Sequence, residues 1–241
     1  MSKGETLNLT NTPLLTRGLL HRTMILDRLE IINEEFHATQ VESATLDLLL
    51  AEGWRHFGTH FFRYNYGIYE NEIRRVLPLR IRANDLRFSK SQRRVLSRNA
   101  DLETDIVPLA ITPEIHDLFH RHKARFKSGV PDSIYDFVAR EPNAPTDCRC
   151  VIVHESGKLV AASFFDVGSE SVSSIYGIFD PEMRSRSLGI FTMLKEIEFA
   201  RENAKPLYYH GYAYEGESFY DYKKRFGALE IFDWNGNWTG G

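Results

Sequence analysis

Apolar and polar residues alternate along this chain in two rhythms, and the change of rhythm marks its elements. Period-2 alternation predicts strands over 102–109, 147–154, 158–167, 172–179, 206–210 and 228–234. Glu155-Ser156-Gly157 between the second and third of these is the length of a short hairpin loop. Between the strands the spacing becomes helical. Ile115, Leu118, Phe119, His122 and Phe126 fall on one face, after Thr112 as N-cap and Pro113 as first helical residue. A second helix is expected from about Asp132 to Pro142, a long one over 188–203 and a short one over 217–226.

The first part of the chain is less regular. Leu14, Leu15, Leu19, Leu20, Met24, Ile25 and Leu29 make a loose helical pattern, and 42–53 is expected as a helix ended by Gly53. Residues 61–66 and 76–82 alternate as strands. Ser89 with Gln92 three residues on is a capping box, which opens a helix through about Asn99. Val95 and Leu96 can face inward on it, while Lys90, Arg93, Arg94 and Arg98 share an outer face. We expect a small N-terminal α+β domain over 1–85 and a second domain over 86–241 that begins with the basic helix. The order strand, two helices, three antiparallel strands, long helix, strand, helix, strand is that of the N-acetyltransferase-like (GNAT-like) fold, an α+β fold with a mixed, largely antiparallel sheet. A fold alone does not give the chemistry.

Charge sharpens the picture. The chain of 241 residues has a net charge of −3, yet residues 74–98 carry Arg74, Arg75, Arg80, Arg82, Arg87, Lys90, Arg93, Arg94 and Arg98 against one acid, Asp85. Such a block is the footprint of a phosphate-rich partner, or else a face that pairs with acids elsewhere in the fold. Hydrophobic content of 42% and charged content of 26% are those of a soluble globular protein. No stretch has the length and apolarity of a membrane helix, and the N-terminus lacks the apolar core of a signal peptide. The two cysteines, Cys148 and Cys150, are too few for a zinc site and too close for an ordinary disulfide, and are expected as reduced thiols on one strand face. A cytoplasmic protein without membrane partner or metal is the expectation.

Arg184-Ser185-Arg186-Ser187-Leu188-Gly189 opens the long helix, where backbone N–H groups bind phosphate. Gly189 permits close backbone approach, Ser187 can cap, and Arg184 and Arg186 add charge, though the same residues suit a plain helix terminus. The stretch Phe88–Leu102, Tyr176-Gly177-Ile178-Phe179-Asp180-Pro181 with Arg186–Gly189, and Tyr208–Gly211 followed by Asp221-Tyr222-Lys223-Lys224-Arg225-Phe226 together resemble the bacterial aminoacyl-tRNA–protein transferases, the leucyl and arginyl transferases of the N-degron pathway.

That resemblance implies a GNAT-like core whose helix N-terminus receives the 3′ end of a charged tRNA instead of coenzyme A. Aminoacyl-tRNA would be the co-substrate with no other cofactor, DNA would not be a partner, and the acceptor would be a protein or peptide N-terminus with an acidic first residue. Leucine or arginine would be transferred. Family members carry cysteine pairs in the N-terminal region, whereas residues 1–85 here contain none. Lys90, Arg93, Arg94, Arg98, Arg184, Arg186, Ser187, Leu188 and Gly189 are the donor-side candidates, and Asp221, Tyr222, Lys223 and Arg225 the acceptor-side ones. Asp180 and Tyr176 are the catalytic candidates, Asp180 either orienting or deprotonating the amine or closing an Asp-Pro turn. The run Tyr208–Tyr214 offers either stacking faces for unpaired bases or core. His210 is expected as a packed strand histidine. Alternatives on the same fold are an acyl-coenzyme A N-acyltransferase and an aminoacyl-tRNA-dependent modifier of a small-molecule amine. An RNA-binding module without catalysis is a third.

Overall fold

The computed structural model describes residues 30–127, 129–140 and 143–241. The apolar pattern expected over residues 14–29 lies outside them. Asn33–His37 (β1), Arg55–Phe57 (β2) and His60–Tyr64 (β3) form a three-stranded antiparallel sheet in the order β1-β3-β2, with helix α1 (Ser43–Ala51) between β1 and β2. Leu46 and Leu50 of α1 pack with Phe61 of β3 and with Tyr209 of the larger sheet.

That larger sheet uses Tyr66–Tyr69 (β4), Glu72–Arg82 (β5), Glu103–Pro108 (β6), Cys148–Glu155 (β7), Lys158–Val167 (β8), Ser171–Phe179 (β9), Leu207–Tyr214 (β10), Leu229–Phe232 (β11) and Trp238–Gly240 (β12). Its order is β12-β11-β5-β10-β9-β8-β7-β6, with β4 paired to β5. The β7–β8 turn is tight because Ser156 and Gly157 both take positive φ, 51° and 78°. Helix α2 (Lys90–Arg98) has the full capping box: Ser89 Oγ accepts from Gln92 N while Gln92 Oε1 accepts from Ser89 N. Helix α3 (Pro113–Lys123) starts with Thr112 Oγ1 accepting from Ile115 N. Helix α4 (Leu188–Glu202) lays Leu188, Phe191, Leu194 and Ile197 on the main core.

Three expectations are corrected. Among the described residues of the helix expected from Asp132 to Pro142, Ile134–Asp136 alone is helical, as one 3-10 turn, because Phe137 leaves the helical path to stack on Tyr176 at 3.7 Å. The helix expected over 217–226 is the 3-10 segment Phe219–Arg225. β10 runs on to Tyr214, past the end expected at residue 210, because β5 pairs with it along its length. Residues 33–241 form one compact unit. Within it β5, which precedes the domain division expected at residue 85, lies between β10 and β11. Its apolar Val76, Leu79 and Ile81 are buried there.

Cys148 and Cys150 are buried thiols on β7 outside any disulfide among the described residues, and burial raises the Cys148 thiol well above its ordinary range. Among the described residues no helix is long and apolar enough to cross a membrane.

Candidate active site

β9 and β10 run parallel, and their pairing is short. It covers Leu207–Tyr209 against Ser171–Ser173. At Tyr209 and Gly211 a bulge shifts β10 against β5, with Gly211 at φ 92°, a conformation glycine adopts without strain. Beyond it β9 continues to Phe179 with β8, and β10 continues to Tyr214 with β5, so the sheet opens between them. Ligands of open α/β-type sheets sit where neighbouring strands part in this way.

Cations line both lips. On the β9 side, Arg55 donates to Ser173 Oγ at 2.7 Å and to the Ser174 carbonyl. Arg55 is 9% exposed, and burial lowers its pKa despite nearby acidic groups. On the β10 side, Lys223 Nζ donates to the Tyr212 carbonyl at 3.2 Å, and burial beside Arg55 lowers its pKa to about 7. Below the opening, Glu196 of α4 is buried and accepts from Tyr208 Oη at 2.7 Å. Burial pushes its carboxyl up to about 7 even with that bond in place.

Tyr176 stands on β9 with its ring against Phe137, and burial raises its hydroxyl to about 12. That hydroxyl is buried without a hydrogen-bond partner among the described residues. Nearby, His122 is buried with Nδ1 3.1 Å from the Phe179 carbonyl and Nε2 3.1 Å from Arg125 Nη2. Nδ1 also lies 3.0 Å from the Phe179 N–H, and the contacts together suit a neutral ring. Burial, and Arg125 after it, lowers the His122 pKa to about 4. Arg125 itself lies over the rings of Phe126 and Phe179 at 4.6 and 4.8 Å.

Asp180 ends β9 as expected, but its carboxylate is engaged. It accepts from Glu182 N at 3.1 Å as N-cap of the 3-10 segment Pro181–Arg186, and from Arg121 and Lys158 at 3.2 Å each. Burial raises its pKa, and the Glu182 N–H, Lys158 and Arg121 together outweigh that and hold it below the usual carboxylate range. Such a group is poorly matched to take a proton near neutral pH.

The α4 N-terminus and α2 are stapled together. Arg186 donates to Asp101 at 2.7 and 2.9 Å and to Glu155 at 2.9 Å, so it serves as a brace in place of the free phosphate ligand expected. Asn99 Nδ2 donates to the Arg186 carbonyl at 2.9 Å, and Arg98 donates to the Ser185 carbonyl. Ser187 occupies the N-cap position with φ 56° and makes no side-chain cap, contrary to the capping expected of it. Leu188 is buried, and a Cβ on Gly189 would meet the Phe179 ring at 3.2 Å, so this glycine also answers to packing. Arg184 is exposed.

The basic block divides in two. Arg74 pairs with Glu72, Arg80 with Glu230, Arg82 with Asp85, and Arg75 donates to the Asp233 carbonyl. Lys90, Arg93, Arg94 and Arg98 of α2 are all exposed, and among the described residues none forms an ion pair.

On the acceptor side the candidates disperse. Asp221 turns to Ser218 Oγ and Lys224 at 3.0 and 2.9 Å, Arg225 is exposed, and Tyr222 is partly buried. Tyr208, Tyr209 and His210 are core, which decides for those three against base stacking. Burial pushes the His210 pKa down to about 3, and its Nε2 lies 3.0 Å from the Lys223 carbonyl.

The sequence reading missed Arg55, Arg125 and Glu196. A carboxylate at 196, among Met193, Ile197 and Ala200 on the buried face of α4, was a signal; Arg55, in a three-residue strand, offered none.

The central sheet with its β9–β10 opening, and α4 entering beside it, defines a GNAT-like fold. Loose overlaps occur with FemX (TM-score 0.48, 12% identity, 87% of this chain and 72% of that one). A second is with a GCN5-related glucosamine N-acetyltransferase region of a fungal multi-domain protein (TM-score 0.44, 10% identity, 69% and 20%). The profile of the family described as "Arginine-tRNA-protein transferase, C terminus" matches residues 114–233. The aspartate/glutamate leucyltransferase of Marinobacter nauticus is 31% identical over 79% of this chain and 79% of its own length. That of Cereibacter sphaeroides is 31% identical over 84% and 75%. The chain belongs to the bacterial aminoacyl-tRNA–protein transferase family and is an aminoacyltransferase.

Proposed function

We propose that the protein transfers leucine from leucyl-tRNA to the α-amine of an acceptor polypeptide whose first residue is Asp or Glu, in the cytoplasm. The observation that carries the reading is the coupling of two features. An exposed helix, whose four cations form no ion pair among the described residues, is braced by Arg186 against the segment that leads into α4, next to the sheet opening. An acyl-coenzyme A enzyme on this fold leaves that helix without a task.

In this reading α2 holds tRNA phosphates through Lys90, Arg93, Arg94 and Arg98, with Arg184 exposed beside the α4 N-terminus. The first-turn N–H groups of α4 at Leu188 and Gly189 face the 3′ end. Arg125, over Phe179 and beside Tyr176, adds a cation near the reacting ester. The neutral amine attacks the ester carbonyl carbon, the C–N bond forms, and the C–O3′ bond breaks. The amine proton leaves for the departing ribose oxygen. An α-amine with a pKa of about 8 is partly neutral at cytoplasmic pH, and the ester is already activated, so alignment and oxyanion stabilisation are the main demands. The chemistry needs no further cofactor. Tyr176, a buried phenol still protonated at neutral pH, is suited to donate to the oxyanion. Asp180 supports the site as an anchored N-cap.

Calorimetry separates the donors. Leucyl-tRNA binds, and acetyl-coenzyme A gives no specific heat. Micromolar acetyl-coenzyme A binding with acetyl transfer to a peptide amine overturns the reading.

A further inference from the structure

Arg55 and Lys223 come from distant parts of the chain and meet at one point. A Cβ placed on Gly211 would lie 3.0 Å from Lys223 Nζ and 3.8 Å from Arg55 Nη2. Gly211 has no side chain to fill that point, and the β-bulge holds its backbone back at φ 92°. Arg55 is fixed by Ser173 and Ser174 on β9, and Lys223 by the Tyr212 carbonyl on β10. Each keeps further N–H donors unspent.

Among the described residues neither cation forms an ion pair with a carboxylate. The acids whose charge reaches Arg55 are Asp166 and Glu196, and the buried Glu196 Oε1 makes no hydrogen bond among the described residues. Asp166 accepts from His56 at 2.7 Å and from Thr146 at 2.6 Å, and Glu196 accepts from Tyr208. Two like charges side by side, Arg55 buried and Lys223 half-buried, cost free energy unless an anion joins them. Burial lowers the pKa of Arg55, and burial followed by the Arg55 charge lowers that of Lys223. The pair lies at the strand opening, on β2 and the 3-10 segment Phe219–Arg225 and not on α2, the surface suited to phosphate.

We propose that Arg55 and Lys223 together receive the side-chain carboxylate of the acceptor's first residue and so set the preference for an acidic N-terminus. This rests on the transferase reading above. It adds Arg55 as a specificity-determining residue, divides the work with Lys223, and leaves Asp221 and Arg225 outside the site. The planar guanidinium presents a fork to the carboxylate, and the ammonium closes on it from the other lip. An amide of the same shape gains neither charge–charge attraction and strands both cations.

The test uses the full-length protein, leucyl-tRNA and two peptides that differ only in beginning with Asp or Asn. The readout is the Asp-to-Asn ratio of kcat/KM. Removing one partner of a buried charge pair costs about 30-fold or more in binding, so wild type should favour Asp by at least that factor. In Arg55→Gln and in Lys223→Met the ratio should fall towards one, mainly through a higher KM for the Asp peptide. Arg55→Lys, which keeps the charge and loses the fork, should retain part of the ratio. Variants that fold, bind tRNA and keep the wild-type ratio overturn the assignment. If Arg55→Gln fails to give a cooperative melt, Lys223→Met decides by the same ratio. Wild type that transfers equally to both peptides overturns this assignment and the acidic-acceptor part of the reading, and leaves transfer from tRNA standing. Wild type that transfers to neither peptide overturns the transferase reading and this one with it.

Discussion

Arg186 grips both carboxylate oxygens of Asp101, at 2.7 and 2.9 Å, and so fastens the end of the basic helix to the segment that feeds α4. Side-chain bonding to Arg186 also holds the Asp101 carboxyl below its usual range. Asp101→Ala releases this clamp. Asn99 and Glu155 still hold Arg186, so the melting temperature should change little. What should fall is kcat/KM for charged tRNA, with KM for the acceptor peptide unchanged. Steady-state titration of each substrate reads this directly, and a loss confined to the peptide contradicts it.

The outer face of α2 should carry the salt dependence of tRNA binding. Each phosphate that is no longer neutralised changes the slope of log K against log salt by about 0.7–0.9. Arg93→Ala with Arg94→Ala should therefore weaken tRNA binding and flatten the slope by about 1.4–1.8. Filter binding at several salt concentrations reads this. The same slope and affinity as wild type would dismiss the helix as the phosphate surface.

Asp180→Asn should act on stability more than on rate. Asn can still accept from Glu182 N, but the charge facing Arg121 and Lys158 is lost. Charged hydrogen bonds contribute about 1.5–3 kcal/mol, and these two partners stand partly in water, so the lower end of that range is expected. The pKa is lowered in the fold, so the Asp180 contribution is present above the unfolded carboxylate pKa of about 3.9. It is lost as pH falls through the folded value. Denaturant melts at pH 7 should show the difference, and melts near pH 3 should show much less of it. A folded variant with its rate down 100-fold would return Asp180 to the chemistry.

The parts of this site that were legible in the sequence are local ones. Ser89 and Gln92 mark the start of α2 by themselves, because a capping box needs only four residues in a row. The Thr112 cap, the Ser156-Gly157 turn and the length of α4 are local in the same way. Ser133 and Asp136 also form a capping box, yet only one turn follows, since Phe137 packs better on Tyr176 than along a helix. Local preference lost there to a tertiary contact. The insertion of β5 beside β10 is nonlocal, and no pattern within 72–82 announces it. Arg55 meets Lys223 only because the β2–β3 hairpin packs on the opened sheet, so its role was invisible until the fold was known. Arg186 was found by motif but assigned to phosphate, because its partners Asp101 and Glu155 are distant in sequence.

His56 should act as a buried cation that stabilises the fold at and below neutral pH. Its Nδ1 lies 2.8 Å from the Gly58 carbonyl and its Nε2 lies 2.7 Å from Asp166, and both partners are acceptors, so both nitrogens carry protons. Burial opposes the charge, yet Asp166 raises the pKa above the ordinary 6.5. A raised folded pKa gives stability fully present below about 6.5 and lost as pH climbs through the folded value. Asp166→Asn should cost about 3–5 kcal/mol at pH 6, as breaking a buried pair does. The difference from wild type should narrow as pH rises past the folded His56 pKa. Stability of the variant equal to wild type at pH 6 contradicts the assignment.

The most direct measurement of the transferase account is mass spectrometry of acceptor peptides after incubation with total charged tRNA. Peptides that begin with Asp or Glu should gain the mass of one leucine residue at the N-terminus, and only when the tRNA is charged. Peptides beginning with neutral residues should stay unmodified. A protein that binds tRNA equally well charged or uncharged and leaves every peptide at its starting mass would contradict the account.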